Sequence, residues 1–160
     1  MNSYDLDQRI KDLLSGIKSD ASDKVYETSK RIIECPQMLT CLDLFDINIT
    51  IRNCDAVEAI AIDCLGEEIS DKVKSTLHQI ANMGGFIPQN LLVFIEQHKG
   101  YSITMRDIAS FQDAIKELPA EINVIWGAGN NPSGEGQVGL YFIMGYKKVE
   151  GVSQNESGID

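Results

Sequence analysis

Cations are scarce in this chain of 160 residues, in which 14 lysines and arginines stand against 24 aspartates and glutamates for a formal charge of −10. Nucleic acids and anionic lipid surfaces are densely negative, so the balance argues against either as a partner. Long apolar runs are missing as well. No window approaches the roughly 18 apolar residues that cross a bilayer, and the start, MNSYDLDQRI, lacks the basic-then-apolar layout of a secretory leader. A cytoplasmic location is expected. Cysteine is limited to Cys35, Cys41, Cys54 and Cys64, with no CxxC spacing. Each lies in or beside an apolar run, so reduced, partly buried thiols are expected rather than disulfides or a metal site. His78 and His98 have no cysteine or carboxylate at ligand spacing and read as ordinary surface or boundary histidines. No metal and no cofactor is expected.

What the chain does have is 43% apolar residues, enough for a core without staples. Leu6, Ile10, Leu13, Leu14 and Ile17 recur at helical spacing and predict an amphipathic first helix. Val25, Ser29, Ile32 and Ile33 mark one face of a second helix, which Pro36 stops. Residues 38–52 read as a loop followed by a strand or a short helix, because Asp43 and Asp46 interrupt an apolar run that ends in the alternation Ile47, Ile49, Ile51.

Beyond residue 56 the periods are clearer. VEAIAIDCL predicts a strand, and Ile69, Val73, Leu77 and Ile80 a helix ending at a double glycine. Glu67 and Glu68 open that helix, where its dipole favours them. LLVFIE has the length of a buried strand. Ile108, Phe111, Ile115 and Leu118 predict a helix between a capping box of Thr104 with Asp107 and the stop at Pro119. INVIWG, with the sole tryptophan Trp126 as a core candidate, and QVGLYFIMGYKK complete the strands. The division expected is a helical arm over 1–35, an α/β domain over 36–148 and a disordered acidic tail over 149–160.

Between the last two strands lies GAGNNPSGEG, glycine-rich enough to suggest a phosphate cradle. A cradle needs a helix N-terminus behind it, and Val138, Leu140 and Phe142 alternate as a strand instead. Asn130, Asn131, Pro132 and Ser133 are turn residues, so a long hairpin connection is the reading preferred.

Taken in order, these pieces resemble the second half of FtsZ, the bacterial relative of tubulin. The similarity runs through the apolar strand LLVFIE, the turn Gly100 to Thr104, a helix, the strand Asn123 to Gly127, a loop with serine, glycine and acidic residues, and a last strand ending at Gly145. It extends backward over ASDKVYETSKRII, which resembles the family's central helix, and over Leu42 to Ile47, which resembles its acidic loop. About residues 20–147 are covered. The resemblance implies a four-stranded sheet with two helices on one face, preceded by a helical arm. It also implies that Asp43 and Asp46 belong to a loop whose carboxylates complete the GTPase site of the next subunit, positioning the attacking water. Cys41 stands where the family has asparagine. Nothing before Pro36 resembles the family's glycine-rich GTP loop, so no GTP binding by the chain itself is expected, and no catalytic residue in isolation.

Three functions follow as expectations. The first is a protein-interaction or assembly module whose partner is itself or an FtsZ-type filament protein. The second supplies Asp43 and Asp46 in trans to such a GTPase. The third is a small-metabolite-binding α/β domain.

Overall fold

The computed structural model describes residues 8–12, 22–37, 42–134 and 136–149. Beyond a helical turn at 8–12, its elements are α1 (Ser22–Glu34), α2 (Leu44–Ile51), β1 (Ala56–Cys64), a 3₁₀ turn (Gly66–Glu68), α3 (Ile69–Ala81), β2 (Phe86–His98), α4 (Met105–Ile115), β3 (Asn123–Asn131) and β4 (Val138–Lys148). The strands form one mixed sheet in the order β1-β4-β2-β3. β4 runs antiparallel to both neighbours, and β2 pairs parallel with β3.

The connections β1-α3-β2 and β2-α4-β3 both carry the chain the same way across the sheet. Crossovers of one hand then put both helices on one face. There Val73, Leu77 and Ile80 of α3 and Ile108 and Phe111 of α4 pack on Leu91, Val93, Ile95, Leu140 and Phe142. The intervening residues of the same strands, Leu92, Phe94, Tyr141 and Ile143, point the other way, as the two-residue period of a strand requires. Val25 and Ile32 of α1 and Ile47 and Ile51 of α2 cover them.

The expected four-stranded α/β sheet with two helices on one face is therefore present. Its opposite face carries α1 and α2, which makes three layers. Of the predicted first helix only residues 8–12 are described, and Ile10 is fully buried in the second core. Leu6, Leu13, Leu14, Ile17, Cys41 and the tail beyond 149 lie outside the described residues.

Of the two options for 38–52, the helix forms. Ile47, Ile49 and Ile51 alternate in sequence, yet Ile47 and Ile51 are four apart and share one buried helical face. Asp43 begins the helix as its N-cap. The capping box of α4 also forms, with Asp107 N–H donating to Thr104 Oγ1 at 3.1 Å and Thr104 N–H to Asp107 Oδ2 at 2.9 Å. Trp126 packs its ring 5.4 Å from that of Phe111.

The expected hairpin between the last two strands is not there. β3 and β4 do not pair, because β2 lies between them. From Val138 to Tyr146 every residue of β4 is buried, since helices cover both faces of the sheet and β1 and β2 flank the strand on either side. The loop therefore bridges the C-terminal end of β2, where the His98 N–H donates to the Gln137 carbonyl at 3.0 Å.

Candidate functional site

The first turn of α2 holds the two carboxylates singled out in the sequence. Asp43 Oδ1 accepts the N–H groups of Phe45 at 2.9 Å and Asp46 at 3.2 Å, and Asp46 Oδ2 accepts the Asp43 N–H at 2.9 Å. This reciprocal box satisfies donors that a helix start leaves unpaired. One oxygen of each carboxylate does this work; the other has no hydrogen-bond partner among the described residues. Between the two acids in sequence, Phe45 is 62% exposed and lines a cleft of about 370 Å³ with Arg9, Asp12 and Asn48.

A second polar cluster escaped the sequence reading. Glu96 is fully buried on the α1 face of β2, and five donors surround its carboxylate. Arg31 of α1 gives Nε at 3.2 Å to Oε2 and Nη2 at 2.9 Å to Oε1. Oε1 also meets His98 Nε2 at 2.8 Å, the Tyr141 hydroxyl at 3.1 Å and Asn131 Nδ2 at 3.3 Å. Because an ionised carboxylate only accepts, His98 carries its proton on Nε2. One side chain thereby ties α1 to three adjacent strands.

Glycines make the room. In register Glu96 stands opposite Gly129 on β3 and Gly139 on β4, so no neighbouring side chain crowds it. A Cβ at Gly129 would lie 2.6 Å from the Pro36 carbonyl, and one at Gly134 would overlap the His98 ring. Several glycines of the loop region thus serve close packing around β2.

The electrostatics follow from burial and pairing. Burial pushes the Glu96 carboxyl up, but the hydrogen bonds from Arg31 and His98, the Arg31 charge and Asn131 together outweigh it, and the group is held below its ordinary value. Burial, then the charge of Glu96, pushes the Tyr141 phenol up, and the Cys35 thiol rises to about 12 for the same reasons. Glu96 stays ionised while Tyr141 and Cys35 stay protonated at neutral pH, a set of states that fastens helix to sheet and leaves no poised nucleophile.

His98 therefore corrects the surface reading given to it. It is 1% exposed and bonded to a carboxylate two residues away, a spacing that puts both side chains on one face of a strand. His78 is exposed, as expected. Cys35 and Cys64 are buried free thiols and Cys54 is half-buried. Among the described residues no group of three or more histidine, cysteine or acidic side chains is placed to hold a metal ion. No helix among them is long and apolar enough to cross a membrane.

No protein-family model matches this chain, and no curated protein does. Solved structures do. An empty FtsZ dimer from M. jannaschii superposes with a TM-score of 0.50 at 11% identity, over 89% of this chain and 47% of that one. A mutant FtsZ from the same organism gives 0.53 at 11%, over 89% and 45%. HypE, a hydrogenase maturation protein, gives 0.45 at 17%, over 86% and 39%. The chain has an FtsZ-like α/β fold, and it spans less than half the length of the FtsZ chains it matches.

Proposed function

We propose that this chain is a domain of the FtsZ C-terminal kind and serves as a protein-interaction or assembly module that binds no GTP of its own. The observation that carries the reading is Phe45. An aromatic side chain 62% exposed at a helix start, flanked by Asp43 and Asp46, has the make-up of an interface anchor with a polar rim. The fold likeness supports it, since one of the FtsZ structures matched is a dimer. The partner is a second copy or an FtsZ-type protein. Sedimentation of the chain, alone and mixed with such a protein, tests this: a complex that Phe45→Ser abolishes supports the module, and a monomer in both conditions removes it.

A second reading has its own observation, the uncommitted oxygen on each of Asp43 and Asp46. Negative charge held at an exposed tip is what a water-positioning loop delivers to a neighbour's GTP site. If the chain acts in trans, adding it changes the GTP hydrolysis rate of an FtsZ-type protein, and Asp46→Ala loses the change while binding persists. An unchanged rate on addition of the unaltered chain rejects this role.

A further inference from the structure

The two outer edges of the sheet are treated differently. On β3, Gln37 forms an antiparallel bridge to Gly129, and the Asn130 N–H donates to the Pro36 carbonyl at 2.8 Å, so the segment at Pro36 blocks part of that edge. On β1 nothing does. The strand pairs with β4 in unbroken register from Ala56 to Cys64, with no proline, bulge or lysine along it and only Glu58 and Asp63 as charged residues. Its far side has no backbone partner among the described residues. Unprotected edges of this kind are templates for another strand.

The edge also lies in a groove. Three adjoining clefts, of about 540, 420 and 390 Å³, lie between α1 and the sheet beside it, from Gln79 of α3 to Ser133 of the β3–β4 loop; Ala61 is common to all of them, and two reach inward to Tyr141 of β4. α1 forms one wall. Ala59 and Ala61 are small and leave space beneath that wall. Ala59 to Asp63 spans about 13 Å at strand rise, room for a partner strand of about five residues.

We infer that the β1 edge binds an extended, basic peptide segment of a partner protein by adding it to the sheet as a fifth strand. Only an extended backbone satisfies a row of edge N–H and C=O groups, which fixes the conformation. Charge fixes the composition. Asp23, Glu27 and Glu34 of α1 and Asp63 of β1 line the groove against Lys24 and Lys30, because Arg31 is already neutralised by Glu96. A second copy, with a formal charge of −10, is disfavoured there, and so is this chain's own acidic C-terminal segment.

The probes are two synthetic nonapeptides, one alternating valine with lysine and the other valine with glutamate, titrated into the isotopically labelled full chain. The lysine peptide is expected to shift and protect the amides of residues 59–63, and the glutamate peptide to bind at least tenfold more weakly. N-methylation of alternate lysine-peptide residues on its pairing edge should abolish protection, and Glu27→Lys with Asp63→Lys should invert the charge preference. Phe45→Ser should leave all of this unchanged, which separates the groove from the tip of α2. Equal binding of both peptides, no change at residues 59–63 at millimolar lysine peptide, or protection there that rises with protein concentration alone would each overturn the inference.

Discussion

Arg31 Nη2 lies 2.9 Å from Glu96 Oε1, joining a side chain that is 44% exposed to one that is fully buried. The bond spans 65 positions of sequence and ends on the central part of the sheet. Removing one partner of such a pair costs more than the pair contributes, since it strands a charge in the core. Because the Arg31 end is solvated, Arg31→Ala is expected to destabilise by about 3 kcal/mol, the low end for buried pairs. Replacing both, as Arg31→Met with Glu96→Leu, should cost less than Arg31→Ala alone. Urea midpoints at constant slope measure both.

Acid should weaken the same fastening. The folded-state value of Glu96 lies below the ordinary 4.5, so its contribution is complete above that value and is lost as pH falls through the folded-state value. Stability measured from pH 6 down to pH 2 should fall for the unaltered chain more steeply than for Glu96→Gln. Parallel curves would show that Glu96 is not held down in the folded state.

Close packing at the loop predicts a mutual dependence. Gly134→Ala pushes a methyl into the His98 ring and is expected to cost about 1–3 kcal/mol, the usual range for overpacking. In a His98→Ala background most of that cost should vanish. A double-mutant cycle on thermal midpoints reads the coupling, and additive losses would place the cost elsewhere.

At the tip of α2, Asp43→Ala should cost about 1 kcal/mol through the lost cap, and Asp43→Asn or Asp43→Ser should restore most of it. Any partner effect that Asp43→Asn fails to restore, when stability is restored, depends on charge rather than on helix capping.

Sequence periodicity foretold α3 and α4 because each has one face to bury, and the strands because their apolar runs, continuous where both faces are covered as in β2 and β4, have strand length. α2 stayed ambiguous because Ile47, Ile49 and Ile51 fit both periods over eight residues. Strand order was out of reach locally: turn residues between β3 and β4 announce a change of direction, not which strand comes next. The buried network had a legible half. A lone glutamate inside LLVFIEQH calls for a buried cationic partner, and His98 two residues on shares its face. That the partner is Arg31, and that Gly129, Gly134 and Gly139 clear the space, depends on contacts made only after the sheet has formed.

The place of β4 also bears on when this protein can become a folded object. β1 and β2 share no pairing of their own and are joined only through a strand that begins at Val138. As the chain leaves the ribosome, β2 and β3 with α4 can assemble, but β1 must wait until nearly all of the described residues are available. A chain interrupted before β4 would leave apolar strand edges open to neighbours, and a nascent one passes through that state on every round of synthesis.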